Sequence, residues 1–255
     1  MIDIHCHILP GIDDGAQTIE ESLMMAKEAV RERIETIIAT PHHKNGVYDN
    51  EKRTILSKVE ELNNVLQKEG VPLTVLPGQE TRLYGEILDD YLTGGGILPL
   101  AETSYLFVEL PSGHVPRYTE RLFYELQTEG LIPIIVHPER NRELIENPDR
   151  LYRLVTNGSL TQLTAGSVCG YFGKKIKKFS HQLIEANLIH FIASDAHNVH
   201  NRSFKMTEAM DELERIYGID MIDFFNENAE LLVQGGNIYK DIPEKVTRKK
   251  FLGIF

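Results

Sequence analysis

The chain opens on two histidines separated by one residue, His5 and His7, in the run Met1-Ile-Asp-Ile-His-Cys-His-Ile-Leu-Pro10, and Asp13-Asp14-Gly15 follows closely. Side chains two apart on a strand project to the same face. Alternation therefore sets Asp3, His5 and His7 on one side and Ile2, Ile4, Cys6 and Ile8 on the other. Two adjacent imidazoles form a chelating pair. Groups of the same kind recur down the chain, in Pro41-His42-His43, Gly78-Gln79-Glu80, Glu109, His137-Pro138-Glu139-Arg140 and Asp195-Ala196-His197. The candidate metal ligands are His5, His7, Asp14, His42, Glu80, Glu109, His137, Asp195 and His197. Brought together without cations they would be costly, because like charges repel and buried polar groups need partners. An ordinary ion-pair network is the alternative, and only Arg140 and Arg202 offer it obvious cations. Mixed imidazole and carboxylate donors, with no cysteine set, fit divalent Mn, Fe, Co or Zn better than a structural zinc. Enough divalent charge to outweigh the carboxylates would suit a phosphate dianion. Arg140 and Arg202 would add planar, bidentate donors for its oxygens. His43 and His200 flank these groups, with proton transfer or support as the role open to them.

Each of these groups except Asp14 falls at the end of a short β-branched run. The runs predict strands over 2–8, 35–41, 73–79, 105–110, 132–137, 160–165 and 190–195. Amphipathic patterns between them predict helices. Thr18 and Glu21 are spaced as a capping box ahead of the stripe Ile19, Leu23, Ala26, Val30. Further stripes are Ile55, Val59, Leu62, Leu66; Leu122, Leu126; Ile176, Phe179, Leu183; and Met210, Leu213, Tyr217. Alternating strands and helices imply a parallel sheet, and seven units in one domain suggest a closed or nearly closed barrel, with a doubly wound open sheet as the alternative. In a barrel the strand ends meet on one face, where active sites lie.

At 255 residues the chain is long for one domain but ordinary for an α/β barrel, and no linker, repeat or low-complexity segment divides it, so a single domain over 1–255 is expected. A net charge of −11 argues against a nucleic-acid surface. Cys6 and Cys169 are the only cysteines, which favours a reducing compartment. With no signal-peptide pattern and no membrane-length apolar run, a cytoplasmic protein without stable membrane insertion is expected. The basic and then apolar end, Arg248-Lys-Lys-Phe-Leu-Gly-Ile-Phe255, is read as a docked terminus. Gly94-Gly95-Gly96 lacks the following Lys-Ser/Thr of a phosphate loop and reads as a turn. Thiol catalysis has little support. The position where a cysteine-phosphatase loop carries arginine is Lys175 after Cys169 and Ile12 after Cys6.

Taken together these motifs resemble the PHP (polymerase and histidinol phosphatase) superfamily. More narrowly, Met1–Gly15, Ala39-Thr-Pro-His-His43, Pro77-Gly-Gln-Glu80, Val136-His-Pro-Glu-Arg140 and Ser194-Asp-Ala-His197 resemble the metal-dependent bacterial protein-tyrosine phosphatases of the CpsB/YwqE kind. The resemblance implies a distorted (β/α)7 TIM-like barrel with three divalent ions, usually manganese, at the C-terminal ends of the strands. By position, His5, His7, Glu80 and Asp195 would hold one ion. Glu80, Glu109 and His137 would hold a second, and Asp14, His42 and His197 the third. It also implies a phosphotyrosine protein as substrate, the tail of a bacterial tyrosine kinase that controls capsule or exopolysaccharide assembly.

The chemistry expected is phosphomonoester hydrolysis by a metal-activated hydroxide, with Arg140 and Arg202 clamping the phosphate and no cysteinyl-phosphate. The nearest rival is a histidinol-phosphate phosphatase or another small-molecule phosphoesterase on the same rim. An amidohydrolase fits less well, because the fourth strand ends in Glu109 and not in a bridging lysine. A metal-stabilised adaptor without catalysis is the remaining class, and metal-dependent turnover separates it from an enzyme.

Overall fold

A computed structural model describes residues 1–94 and 96–247. The end 248–255, and Gly95 of the expected glycine turn, lie outside the described residues.

The predicted strands all form, but they stop earlier and two of them break. In chain order the strands are β1 (Ile2–Cys6), β2 (Thr36–Ala39), β3 (His42–His43), β4 (Thr74–Pro77), β5 (Glu80–Arg82), β6 (Tyr105–Glu109), β7 (Ile132–Val136), β8 (Leu160–Thr164) and β9 (Phe191–Ala193). Every pairing between them is parallel. They make two sheets, β1-β2-β4 and β3-β5-β6-β7-β8-β9. The predicted run 35–41 stops at Ala39, and a second short strand, β3, starts beyond it at His42; Pro41 between them has no N–H for a ladder. The run 73–79 ends at Pro77, and β5 begins at Glu80, whose N–H reaches across to Pro41 O at 3.1 Å. Between them Gly78 admits a close approach: a Cβ there would stand 2.6 Å from Ile38 Cγ2.

β1 joins the two sheets. On one side it pairs with β2. On the other it meets β9 through a single bridge, Cys6 to Ala196, and through Asp195 N to His5 O and His7 N to Ala196 O, both 2.9 Å. This seam is not a regular ladder, so the architecture observed is a mixed α/β fold of parallel sheets. Its buried anchor is Asp3, which accepts hydrogen bonds from Ser194 N and Oγ. Burial pushes the Asp3 carboxyl up to about 6 against the lowering effect of those bonds.

Both faces of the strands are buried, as parallel strands require. Ile4, Ile38, Phe107, Ile134 and Phe191 point to an inner cluster. Ile37, Leu106, Val108, Ile135 and Ile192 point outward to the helices. The expected alternation along the first strand holds only in part. A register irregularity between Asp3 and Cys6 leaves Ile4 with the inner cluster and Cys6 with the outer one. Helices cover the outer face at the predicted stripes, such as Ile55, Val59, Leu62 and Leu66 in Lys52–Lys68. Thr18 caps Ile19–Arg31, and Glu21 reaches Gln17 N at 2.7 Å, one residue before the cap. The helix Ile219–Val233, unread from sequence, sends Ala229 and Leu232 into the inner cluster beside Tyr105 and Leu160, which lie at the strand beginnings. It closes the end of the fold opposite the strand C-termini. Among the described residues no helix is long and apolar enough to cross a membrane.

The seam between β1 and β9 yields a test. Ser194→Ala removes a donor from a buried carboxylate and should cost ~1.5–3 kcal/mol of stability at neutral pH. At about pH 5, where the buried Asp3 is already protonated, the loss should shrink. Urea denaturation at both pH values checks this, and an equal loss at both would remove Asp3 from the seam.

Candidate metal centre

Strand register decides which candidate residues meet. Pairing of β3 with β5 sets His42 beside Glu80, and pairing of β5 with β6 sets Arg82 beside Glu109. The side chains repeat those pairs: His42 Nδ1 lies 2.7 Å from Glu80 Oε2, and Arg82 Nη2 lies 3.0 Å from Glu109 Oε1. β1 brings His5 and His7 to the same rim, their Nε2 atoms 3.3 Å apart. Beyond β7 and β9 the backbone turns left-handed at His137 (φ 37°) and at Asp195 (φ 53°). For a non-glycine residue this costs ~1–3 kcal/mol and marks functional sites. His137 Nε2 then stands 2.8 Å from Glu80 Oε1, and Asp195 Oδ1 stands 3.6 and 3.5 Å from the Nε2 atoms of His5 and His7.

The loop after β1 supplies the last candidate. It folds back so closely that a Cβ at Gly15 would lie 2.0 Å from His7 O. That return sets Asp14 Oδ1 3.3 Å from both His42 Nε2 and His197 Nε2. All the sequence-predicted ligands thus share one rim. Three overlapping groups have their donor atoms within 4.8 Å of one another: His7, Asp14, His42 and His197; His5, His7 and Glu80; and His42, Glu80 and Glu109.

The outward nitrogens of the rings fix what faces inward. His5 Nδ1 meets Gln162 Oε1 at 2.9 Å, His7 Nδ1 meets Asp13 Oδ2 at 2.7 Å, and His197 Nδ1 meets the Asp195 carbonyl at 3.0 Å. Each partner is an acceptor, so Nδ1 is the donor and Nε2 is left to turn a lone pair toward the centre. Two imidazole lone pairs at 3.3 Å repel unless positive charge lies with them. Glu109 Oε2 is also buried without a hydrogen-bond partner, and the carboxylate and imidazole atoms of His42, Glu80, Asp14 and His197 face one another. The residues present therefore fit bound cations in number, donor type and orientation.

Without metal, protons take that place. Burial would lower the His7 pKa, but Asp13 and Asp195 raise it to about 9. Burial likewise opposes charge on His42, and Glu80, Asp14 and Glu109 overcome it, to about 11. Glu80 and Asp195 stay well below the carboxylate range despite burial, Glu80 through His42 and His5 and Asp195 through Arg140, His7 and His5. Burial and the neighbouring Glu80 push Glu109 up to about 7, even with Arg82 at hand. Burial and Arg140 lower His137 to about 4, and burial and His7 do the same to His197.

Both predicted arginines reach the rim. Arg140 Nη2 donates to Asp195 Oδ2 at 2.5 Å, and Arg202 Nη2 lies 3.3 Å from Asp195 Oδ1. Glu143 pairs with Arg150 and is not the partner of Arg140. His42, Glu109, His137, Arg140, Asp195 and Arg202 line a cavity of about 240 Å³. His43 is not brought to the centre. Adjacent strand residues face opposite ways, and His43 is buried with Nδ1 3.0 Å from Asp49 and its ring against Gly96. His200 lies on the exposed loop that follows His197. Burial pushes the Cys6 thiol well above its ordinary pKa, with Asp3 and Asp195 adding to it, and burial with Glu208 and Glu212 puts Cys169 up to about 12. Neither presents a thiolate.

Asp13, Gln162 and Arg82 escaped the sequence reading. Each holds a candidate ligand in place and none is itself in the three groups. Gln162 left a signal, an amide in the middle of a buried strand. Asp13 was hidden by its neighbour Asp14.

Comparison with known proteins follows from this geometry. Residues 1–234 match the family model for capsular polysaccharide synthesis, CpsB/CapC. The chain is 53% identical over 255 residues to the tyrosine-protein phosphatase YwqE of Bacillus subtilis (strain 168), with 100% of both chains covered. It is 39% identical to the putative tyrosine-protein phosphatase CapC of Staphylococcus aureus, again over 100% of both. It superimposes with a TM-score of 0.95, over 97% of this chain and 100% of the other, on a chain from crystal structures of YwqE from Bacillus subtilis and CpsB from Streptococcus pneumoniae, described as unique metal-dependent tyrosine phosphatases.

The proton-for-metal substitution makes stability depend on pH. In metal-free protein His7 keeps its proton up to about pH 9, whereas unfolded it loses it near the ordinary imidazole value of 6.5. Its contribution is complete below 6.5 and is lost as pH rises through 9. The Tm of metal-free protein should therefore fall across this window, and Mn²⁺-loaded protein should hold it. Parallel Tm profiles for the two forms would contradict the substitution.

Proposed function

This chain belongs to the CpsB/CapC capsular polysaccharide synthesis family, and from that membership we infer that it is a metal-dependent tyrosine-protein phosphatase. The observation that carries this reading at the site is the pair of inward-facing Nε2 atoms of His5 and His7, 3.3 Å apart beside Glu80 and Asp195. Histidinol phosphate is the less favoured substrate, since the relatives of known name are tyrosine-protein phosphatases.

In finer detail, the strands form a distorted (β/α)7 barrel, and 1–255 is one catalytic domain. Three ions, Mn²⁺ before Fe, Co or Zn, would occupy the rim. His5, His7, Glu80 and Asp195 would hold the first; Glu80, Glu109 and His137 the second; Asp14, His42 and His197 the third. Glu80 would serve both of the first two groups, because His5 and His7 approach its Oε2 and His137 its Oε1. When bound, divalent ions supply a water of lowered pKa and neutralise phosphoryl charge.

The protein's own groups do the rest. Asp13 and Gln162 fix the tautomers of His7 and His5. Asp195 holds the guanidinium groups of Arg140 and Arg202 at the cleft, where they orient the non-bridging phosphate oxygens and stabilise charge developing there. Tyrosinate, with a pKa of about 10, needs less acid assistance than an alkoxide. The substrate proposed is the phosphorylated tail of a bacterial tyrosine kinase in capsule or exopolysaccharide synthesis, met in the cytoplasm.

A substrate panel on metal-quantified protein tests the reading. Mn²⁺-loaded protein should hydrolyse a phosphotyrosine peptide with higher kcat/KM than a phosphoserine peptide or histidinol phosphate. Preference for histidinol phosphate would reverse the assignment.

The arginines make a separate test. Arg140→Ala and Arg202→Ala should each lower kcat/KM at least about tenfold, ~1.4 kcal/mol of transition-state stabilisation, with metal content unchanged. Lysine should rescue poorly, as a point charge without a planar fork. Wild-type kinetics in both alanine variants would leave the arginines as partners of Asp195 alone.

A further inference from the structure

The segment between the short helix Ala165–Cys169 and the helix Lys174–Glu185 plays no part in the centre, yet it borders it. With the start of the second helix it reads Gly170-Tyr-Phe-Gly-Lys-Lys-Ile-Lys-Lys178, a basic concentration in a chain of net charge −11. One of these lysines is used internally: Lys177 Nζ lies 2.6 Å from Glu212 Oε1. Lys174, Lys175 and Lys178 are exposed, and among the described residues they have no ion pair or hydrogen bond. Residues three and four apart share a helix face, so these three lysines form one ridge of like charge. They also occupy the first turns, where acidic residues are favoured and none is present. Among the described residues no acidic side chain pairs with any of the three.

The ridge adjoins the cleft through two exposed aromatics. The Phe172 ring covers the Arg140 guanidinium, with 5.2 Å from Cζ to the ring centroid, and remains 38% exposed. Tyr171 is 57% exposed, with its OH on Glu208 and Lys205 Nζ 4.8 Å from its ring centre. Gly170 and Gly173, each at φ 95°, bracket the pair and turn it outward. The short helix that leads into the strip is tied to the site, because buried Glu139 accepts from Ser167 Oγ at 2.7 Å and from Thr164 N at 3.2 Å, next to Arg140 in sequence. Phe172 is the strip's contact with the Arg140 side of the cleft, and the lysines follow it directly in sequence.

We propose that Tyr171–Lys178 is the docking strip for the peptide around the phosphotyrosine, and that it selects phosphotyrosyl segments carrying further negative charge nearby. This rests on the phosphatase reading above. Phe172 and Tyr171 offer aromatic surface to the chain next to the phosphotyrosine, and Lys174, Lys175 and Lys178 meet flanking carboxylates or a second phosphate. An anionic membrane surface would satisfy the same lysines, but the strip's continuity with the cleft favours the substrate itself.

The test compares Mn²⁺-loaded wild type with the triple variants Lys174→Glu/Lys175→Glu/Lys178→Glu and Lys174→Gln/Lys175→Gln/Lys178→Gln. Substrates are p-nitrophenyl phosphate, a phosphotyrosine peptide with acidic flanks and one with neutral flanks. For the acidic peptide the Glu variant should raise KM at least about tenfold with kcat little changed, and the Gln variant should fall between. Added salt should lower wild-type kcat/KM on that peptide and leave the Glu variant nearly flat. Kinetics on p-nitrophenyl phosphate, too small to reach the ridge, should stay within about twofold in both variants. Equal effects on acidic and neutral peptides, or none, would overturn the proposal. Loss of binding to phosphatidylserine vesicles with unchanged peptide kinetics would overturn it in favour of a membrane. A wild type inert toward p-nitrophenyl phosphate and both peptides would sink the phosphatase reading instead, and the docking strip with it.

Discussion

Charge compensation at one rim governs this molecule. Glu80, Asp195 and Glu109 are buried beside His5, His7, His42, His137 and His197. Carboxylates so close cannot all ionise out of water unless cations stand among them. Metal-free, the rim meets this with protons: His7 and His42 hold theirs well above the usual imidazole range, and Glu109 is pushed up toward neutrality. Divalent ions would meet the same demand, and enough of them to outweigh the carboxylates would leave positive charge over for a phosphate. Metal dependence and affinity for a dianion thus have one electrostatic origin.

The fold exists to bring these groups together and keep water and competing partners away. Parallel register sets His42 against Glu80 and Arg82 against Glu109. Asp13 and Gln162 stand behind the imidazoles and turn their lone pairs inward. The left-handed backbone at His137 and Asp195 is a local cost carried by the surrounding hydrogen bonds, His137 N to Gln162 O and Asp195 N to His5 O. Gln162 therefore serves twice, through its side chain to His5 and through its backbone to His137. Ala229 and Leu232 pack into the inner cluster at the far end of the strands, away from the rim.

Much of this was legible in the chain. Apolar runs such as Tyr105–Glu109 and Ile132–Val136 announce buried strands because burial on both faces demands continuous hydrophobicity, and ligand types at their ends announce a shared rim. The irregularity in β1 was not legible, because a strict period of two cannot reveal an extra residue. Nor were the breaks around Pro41 and Gly78, which depend on how closely neighbouring strands approach. His43 was expected to flank the site with a role in proton transfer or support, yet strand alternation sends it to the side opposite His42. Asp13 and Gln162 act through partners distant in sequence or through loop closure, and local spacing does not encode either. Arg82 became meaningful only once register set it beside Glu109.

The most direct measurement is anomalous diffraction at the manganese edge from crystals grown with Mn²⁺. The expected result is strong peaks within bonding distance of His5 Nε2, His7 Nε2 and Glu80, and of His42, with turnover of phosphotyrosine peptide lost when a chelator removes them. Featureless anomalous maps at that rim, together with full turnover in excess chelator, would contradict the account.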